Sequence, residues 1–278
     1  MSKSKNHQDE MILSSTPPIK LRLVRDFPSK EPKCLIVCHH GIAMNLLFFD
    51  KFAKEMNEAN IAIYRLDARG HGKSEGKRGH SKSIFDMVED LKIMVDLAKK
   101  ENPKQQIFVI GHSMGGHVSA LFGTKYPNEV KGIILAAGLL KDTMHLFGEL
   151  PIKGDPETYI PTNKAFRAKE IQSVPLDVWD KAYPYFIREL TISILNSFVE
   201  GFEYLKKNNK NFVVPVLIFN GNADYIVDQK DAIEFYMETG NKDKSLIIFS
   251  GVGHELWNEE KGDNVIKYVL DWVQRRIK

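Results

Sequence analysis

Cysteine is scarce in this 278-residue chain, which contains two. Cys34 and Cys38 lie in one predicted strand, "CLIVC", and point to the same face about 13 Å apart at ~3.3 Å per residue. A disulfide needs Cα atoms within about 7 Å of each other. We therefore expect two free thiols that pack as small hydrophobic side chains, in agreement with a cytoplasmic protein.

Long apolar runs and a strong charge of one sign are also lacking. No run approaches the ~18 residues needed to span a bilayer. The formal net charge of +3 is small for this length, which argues against a dedicated nucleic-acid binder. Near the N-terminus the apolar part covers residues 11–13, shorter than the roughly 7–15 residues of a secretory signal. We therefore predict a cytoplasmic protein in which residues 1–18 form a mobile tail.

Cofactor sites and polyanion sites find little support in the sequence. No group of His, Cys, Asp or Glu has metal-ligand spacing, so neither a metal nor a cofactor is predicted. The segment "RGHGKS" ends like a phosphate-binding loop, but that motif needs a glycine where Asp67 stands. The basic cluster of Lys73, Lys77, Arg78 and Lys82 has no interleaved aromatic residues, and we predict a solvated surface there.

The chain does contain an alternation of short apolar runs and amphipathic segments. Most of the apolar runs are continuous, which is typical of strands covered on both faces. Strand followed by helix, repeated, predicts an α/β fold with a mostly parallel central sheet and helices on both faces. We expect strands near residues 19–25, 34–39, 61–66, 107–110, 132–136, 214–219 and 245–249, and helices at 45–58, 81–100, 116–126, 228–238 and 262–277.

Residues 139–212 interrupt this alternation and show no strand pattern. Within them, "IRELTISILNSFVEGFEYLKK" places apolar residues at three- and four-residue steps on one helix face. A packed core helix would show the same pattern. Because the block falls between two core strands, we predict a helical cap inserted into a core of residues 19–138 and 213–278. The cap residues expected to wall an acyl pocket are Phe186, Ile194, Phe198 and Phe202.

The stretch "FVIGHSMGGHVS" puts Ser113 between two glycines, directly after an apolar β-branched run. Residues 111–115 match G-x-S-x-G, which is weak evidence alone and strong evidence where a strand precedes it and a helix follows. Such a strand-to-helix elbow presents a serine on strained backbone, and the glycines give the turn room. The alternative is an ordinary glycine-rich turn. We predict that Ser113 is a nucleophile.

A serine hydroxyl is a weak nucleophile until a base removes its proton, so a histidine held by a carboxylate should follow in the chain. His254, in "FSGVGHELW", comes directly after the last predicted strand, whereas His145 falls in the predicted cap. Asp224 ends a strand, where catalytic groups gather. Its rival, Asp228, stands where the next helix needs an N-cap. We predict His254 as base and Asp224 as the acid that orients it.

An oxyanion formed by attack of the serine needs preorganised N–H donors. One donor should be the backbone N–H of Met114, the residue after the nucleophile. The other should come from the loop "HHGIAMN" that follows the strand at residues 34–39, where Gly41 lets the chain turn. The N–H of Ile42 is the candidate, and its side chain can then line the pocket.

Four segments resemble the α/β-hydrolase superfamily, in its branch of monoacylglycerol lipases and lysophospholipases. "YRLDARGHGKSEGKRG" is similar to the segment D-x-R-G-H-G-x-S-x-G of that family, and "VIGHSMGG" to its elbow. "VPVLIFNGNADYIVD" and "FSGVGHELWNE" are similar to its acid and histidine segments. The resemblance covers nearly everything after the predicted tail. It implies the α/β-hydrolase fold, a triad of Ser113, Asp224 and His254, and oxyanion donors at Ile42 and Met114.

The resemblance further implies a cytoplasmic serine hydrolase that cleaves carboxylic esters through an acyl-enzyme. The leading substrates are monoacylglycerols, lysophospholipids or similar medium to long acyl esters, with transient contact to a membrane surface. The loop "HGIAMN" departs from the H-G-x-G-E-H of the lipases, and "GDPETYIPTN" is similar to the cap of cinnamoyl and feruloyl esterases. A short-chain or aromatic-acid carboxylesterase is therefore the alternative enzyme. An amidase or peptidase, and a non-catalytic binding protein on the same fold, complete the alternatives.

Overall fold

The structure, a computed structural model, describes residues 6–14 and 18–277. At its centre lies an eight-stranded sheet, and a separate pair of short strands lies outside it. The strands are β1 (His7–Leu13), β2 (Lys20–Asp26), β3 (Leu35–His39), β4 (Ala62–Leu66), β5 (Ile107–His112), β6 (Gly132–Ala136), β7 (Tyr159–Pro161), β8 (Glu189–Thr191), β9 (Val216–Gly221) and β10 (Lys244–Phe249).

The order of strands in the large sheet is β1-β2-β4-β3-β5-β6-β9-β10. The first two pairings are antiparallel and all the others are parallel, with Val37 of β3 opposite Tyr64 on one side and Val109 on the other. Every residue of β3, β4, β5, β6 and β9 is buried, as expected where helices cover both faces. The predicted α/β fold with a mostly parallel sheet is confirmed.

Helices cover the two faces of the sheet and enclose two hydrophobic clusters. One cluster lies between the sheet and α2, α3, α7 and α8, and the other between the sheet and α1 and α9. None of the helices in the described residues is long and apolar enough to cross a bilayer. The helices are α1 (Asp50–Glu58), α2 (Ile84–Glu101), α3 (Met114–Lys125), α4 (Thr162–Ala165), α5 (Lys169–Gln172), α6 (Leu176–Ala182), α7 (Ile192–Asn208), α8 (Gln229–Glu238) and α9 (Asp263–Gln274), with 3-10 turns at Leu46–Phe49, Asn209–Asn211, Leu256–Asn258 and Glu260–Gly262.

The N-terminal region differs from its prediction. Residues 7–13 form β1, which pairs antiparallel with β2 along its whole length. Asp9 forms an ion pair with Arg22 at 2.9 Å, and Glu10 forms one with Arg25 at 2.7 Å. The prediction of a mobile tail over residues 1–18 is therefore wrong for residues 7–13. The exposed edge of β2 provides hydrogen-bond partners for the backbone of β1. Residues 1–5 and 15–17 lie outside the described part of the chain.

The region between β6 and β9 carries α4 to α7, and here too the structure adds strands. The short pair β7 and β8 was not expected, because three-residue strands leave no periodicity to detect. The region is bonded to the core: Ile187 N–H donates to the carbonyl of Ala43 at 2.9 Å, and the Asn45 amide donates to the carbonyl of Pro184 at 2.6 Å. We refer to residues 139–212 as the insertion.

Both cysteines are buried free thiols, as predicted, with Cys38 in β3 and Cys34 directly before it. Cys34 and Cys38 are at most 1% exposed. Burial raises the pKa of the Cys34 thiol to about 12 and that of Cys38 well above its usual value. Because the thiolate is the nucleophilic form of cysteine, both side chains are chemically inert in the folded protein.

Candidate active site

Ser113 occupies the junction between β5 and α3. Its backbone has φ 54° and ψ −115°, a left-handed conformation that costs energy in any residue with a side chain. The two flanking glycines cannot be replaced without displacing backbone. A Cβ on Gly111 would lie 2.0 Å from the carbonyl oxygen of Gly115, and one on Gly115 would lie 2.0 Å from that of His39. The elbow therefore places the Ser113 hydroxyl at the positive end of α3.

Asp224 and His254 form a hydrogen-bonded pair beside this elbow. Asp224 follows β9, and its buried side chain accepts a 2.8 Å hydrogen bond from Nδ1 of His254. Its other oxygen accepts from the N–H groups of Ile226 and Val227 at 2.8 and 3.0 Å. The carboxylate is thus fixed at both oxygens and directs the proton of His254 to Nδ1, which leaves Nε2 as a proton acceptor.

The electrostatic surroundings of His254 favour its protonated form. Burial lowers the pKa of the imidazole, but the attraction and hydrogen bond of Asp224 raise it, as do the charges of Glu255 and Glu259, and the net pKa lies above the usual value. In the described chain Ser113 and His254 do not hydrogen-bond to each other. Bonds of this kind commonly tighten when substrate binds.

His40 fixes the orientation of the loop that carries Ile42. Its Nε2 accepts a 2.9 Å bond from the N–H of Ala68, so the ring proton is on Nδ1, which donates to the carbonyl of Gly41 at 2.7 Å. Since the Gly41 carbonyl and the Ile42 N–H point in opposite directions across one planar peptide, the N–H of Ile42 is turned away from His40. Neither this N–H nor that of Met114 donates to any described residue.

Ser113 and His254 line one pocket. Its walls are mainly apolar, and Trp179 of α6 stacks on Phe186 with ring centroids 5.5 Å apart. The indole N–H of Trp179 is buried and has no hydrogen-bond partner among the residues that the structure describes. The lining residues are Gly41, Ile42, Ala43, Met44, Phe48, His112, Ser113, Thr162, Asn163, Phe166, Ile171, Trp179, Phe186, Ile226, His254 and Glu255.

Most of this chain matches a known protein family. The family model described as "Serine aminopeptidase, S33" matches residues 30–261 of this chain. The chain belongs to this family. It is an α/β hydrolase, and it resembles monoacylglycerol lipases.

Individual relatives of this S33-family hydrolase align over most of their length. The "Monoacylglycerol lipase" of Mycolicibacterium smegmatis is 25% identical over 266 residues, which is 91% of this chain and 93% of that protein. Among solved structures, a monoglyceride lipase of Saccharomyces cerevisiae in complex with a substrate analog superposes with a TM-score of 0.82, at 18% identity, covering 99% of this chain and 98% of that one. Est1E of Butyrivibrio proteoclasticus, with ferulic acid bound, has a TM-score of 0.71 at 22% identity, covering 96% and 99%.

In this S33-family hydrolase the predicted pocket residues are divided between two places. Phe186 lines the pocket as predicted. Ile194, Phe198 and Phe202 do not, and that prediction is wrong. Their side of α7 faces α3, where His117 lies 5.4 Å from the ring centre of Phe198 and 4.9 Å from that of Phe202. The amphipathic face of α7 is therefore used for packing on the core.

Several pocket residues were missed by sequence reasoning. His112 is buried beside Ser113, and its Nε2 donates to the backbone carbonyl of His254 at 2.9 Å. Glu255 lines the pocket and accepts a hydrogen bond from Tyr183. Burial raises the pKa of this carboxyl, although the Tyr183 bond and the neighbouring His254 oppose the shift. A signal existed for the aromatic wall, since Trp179, Tyr183 and Phe186 recur at four- and three-residue steps.

Proposed function

We propose that this chain is a serine hydrolase that cleaves carboxylic esters, with Ser113, Asp224 and His254 as its triad and the insertion as a cap over the pocket. The observation that carries the proposal is the Asp224–His254 pair in a pocket that also holds Ser113 on strained elbow backbone. The class of ester hydrolase is supported by the lipases that align over most of the chain.

The reaction proceeds in two halves. The Ser113 hydroxyl adds to the ester carbonyl carbon while Nε2 of His254 takes its proton, and the N–H groups of Ile42 and Met114 bind the resulting oxyanion. Collapse expels the alcohol, which receives the proton from His254, and leaves an acyl group on Ser113. Water then attacks this acyl-enzyme with His254 as base, releasing the acid and restoring the serine.

The leading substrate is a monoacylglycerol, a lysophospholipid or a similar ester of a medium to long acyl chain. Support comes from the predominantly apolar pocket and from the names of the aligned relatives. A second candidate, an esterase for short or aromatic acids, is favoured by one observation. The stacked rings of Trp179 and Phe186, with the unpartnered indole N–H beside them, suit a flat acyl group that carries a hydrogen-bond acceptor.

A hydrolysis profile tests the proposal. Purified wild type and Ser113→Ala would be given 1-monoacylglycerols and p-nitrophenyl esters from C2 to C16, methyl ferulate, and an aminoacyl p-nitroanilide as an amide control. We expect a maximum at medium or long chains, turnover of monoacylglycerol and an inactive variant. A maximum at C2–C4 with rapid turnover of ferulate would select the second candidate. Turnover of the anilide alone would refute ester hydrolysis, as would failure of an active-site serine probe to label wild type.

A further inference from the structure

A second concave surface, the head-group groove, lies beside the catalytic pocket. It is open to solvent, and its walls come from the loop after β4, from Tyr159 of β7 and from the segment that leads into β8. Phe186 lines both this groove and the catalytic pocket, so one side chain separates the two. The residues that line it include Lys73, Arg78, Tyr185, Ile187, Arg188 and Glu189.

Two cations of the groove are available for an anion. Lys73 and Arg78 have no carboxylate within ion-pair distance in the described residues, whereas Lys77 outside the groove pairs with Glu157. Burial lowers the pKa of the Arg78 guanidinium, and the attraction of the buried Asp67 only partly offsets this. Both side chains are exposed and can reach an anionic ligand in the groove.

The basic segment itself contains no interleaved aromatic residues, and the insertion supplies aromatic side chains beside it. Nζ of Lys73 lies 5.1 Å from the ring centre of Tyr185, and Nζ of Lys77 lies 5.1 Å from that of Tyr159. Residues far apart in the sequence thus build one wall. The four basic side chains of the cluster are exposed, as predicted. Of the two other charged groups in the groove, Arg188 pairs with Asp180, and Glu189 adds one negative charge.

The groove is joined to the catalytic machinery through the main chain. Ile187 lines the groove, and its N–H donates to the carbonyl of Ala43, which is adjacent to the proposed oxyanion donor Ile42. If an ester binds at Ser113 with its acyl chain among the apolar pocket residues, its alcohol part must occupy another surface. Passing Phe186, that part would meet Lys73 and Arg78.

We propose that the head-group groove binds a phosphate carried by the alcohol part of the substrate, so that the enzyme favours phosphate-bearing monoacyl esters over neutral monoacylglycerols. This inference rests on the proposed ester hydrolysis and specifies its substrate class. Lys73 and Arg78 neutralise the phosphate oxygens, while Tyr185 and Phe186 contact the carbon atoms between the phosphate and the ester.

The test compares 1-octanoyl-glycerol 3-phosphate with 1-octanoylglycerol, both as monomers and without vesicles. For the double variant Lys73→Gln/Arg78→Gln we expect kcat/KM on the phosphate ester to fall about tenfold, with the value on the neutral ester changed less than about twofold. The control Lys77→Gln/Lys82→Gln removes the same charge from the same cluster at two side chains that do not themselves line the groove, and it should leave both values unchanged. Equal losses in the two double variants would overturn the proposal.

Binding measurements separate this proposal from hydrolysis itself. Ser113→Ala should bind glycerol 3-phosphate in a calorimeter, and the added double substitution should weaken that binding about tenfold. If inorganic phosphate binds as tightly and the phosphate ester has no advantage over the neutral one, the groove holds a free anion and the proposal fails. It also fails if the double substitution matters only when anionic vesicles are present. If wild type cleaves neither ester while Ser113→Ala binds glycerol 3-phosphate, the proposed function fails and the anion site stands.

Discussion

The side chain of His112 hydrogen-bonds the backbone carbonyl of His254, which lies 142 residues further along the chain. The His112 ring is buried, and it stacks on Phe48 with ring centroids 4.1 Å apart. Burial lowers the pKa of His112 well below its usual value, so the ring is neutral, and the proton on Nε2 donates to the carbonyl. His112 is thus a positioning residue that ties the loop of the proposed base to the nucleophile's own strand.

Substitution of His112 tests this role. His112→Leu removes the donor, and we expect kcat to fall about 10- to 100-fold with little change in KM, because a small displacement of the base weakens proton transfer. His112→Gln places an amide N–H at the reach of Nε2 and should recover most of the loss. The measurement is steady-state kinetics on a p-nitrophenyl ester, with thermal unfolding as the control for folding. Equal loss in both variants at equal stability would contradict the positioning role.

Asp224 and Asp228 lie four residues apart and should behave in opposite ways. Asp224→Asn removes the charge that stabilises protonated His254, and we expect kcat to fall about 10³- to 10⁴-fold with stability nearly retained. Asp228 caps α8, where its side chain accepts from the N–H of Lys230 at 2.9 Å. Asp228→Ala should therefore cost about 1 kcal/mol of unfolding free energy and leave kcat unchanged. The reverse pattern would assign the orienting acid to Asp228.

Glu255, after Asp224, should contribute to the position of the acid limb of the pH–rate profile. His254 must be neutral to act as a base, so activity rises as the pH passes through its raised pKa. Glu255→Gln removes a negative charge that raises this pKa, and we expect the acid limb of kcat/KM to move to lower pH. Glu260→Gln makes the same charge change at an exposed position five residues on and should leave the limb in place. A limb that moves equally in both variants would indicate a general charge effect.

Asp231 makes the folded state less stable as the pH rises. It is buried on α8 and holds the start of the insertion by accepting from the hydroxyl of Thr143 at 2.5 Å. Burial raises the pKa of Asp231 from 3.8 to about 7, and the nearby Asp142 adds to this shift. The hydrogen bond from Thr143 lowers the pKa but does not cancel the shift. Between these values the folded state binds more protons than the unfolded state, so the unfolding free energy falls with rising pH, by at most about 4 kcal/mol.

Asp231→Asn should remove this part of the pH dependence, because the amide stays neutral and its oxygen can still accept from Thr143. Urea unfolding at pH 5 and pH 8 is the measurement. We expect the wild type to lose more stability than the variant between the two, and the variant to be the more stable protein at pH 8. Parallel losses would mean that the Asp231 carboxyl titrates near its ordinary value.

Much of the core could be predicted because its strands are continuous apolar runs with punctuated ends. All seven expected strands are present, with ends displaced by two residues at most. Because parallel strands end at one edge, the positions of Ser113, Asp224 and His254 just past β5, β9 and β10 already suggested that they meet. The predicted N-capping role of Asp228 is also confirmed. This role could be predicted because the local sequence determines it.

What could not be predicted depends on packing between distant segments. The periodicity of α7 reveals an apolar face but not which neighbour covers it, and Phe198 packs on α3 instead of facing the pocket. Tyr185 meets Lys73 only because the insertion folds back over the loop after β4. The edge strand β1 lacks a buried face and therefore leaves no clear hydrophobic pattern.

The burial of both thiols has a practical consequence for labelling. Cys34 and Cys38 are the two cysteines of the chain, and neither presents a reactive thiolate at the surface of the folded protein. A maleimide fluorophore should leave the native protein unmodified. Tyr185 is 49% exposed, so the thiol of a Tyr185→Cys variant would be the single attachment point. The unsubstituted protein would be the unlabelled control. Emission from that position would report ligand arrival without any background to subtract.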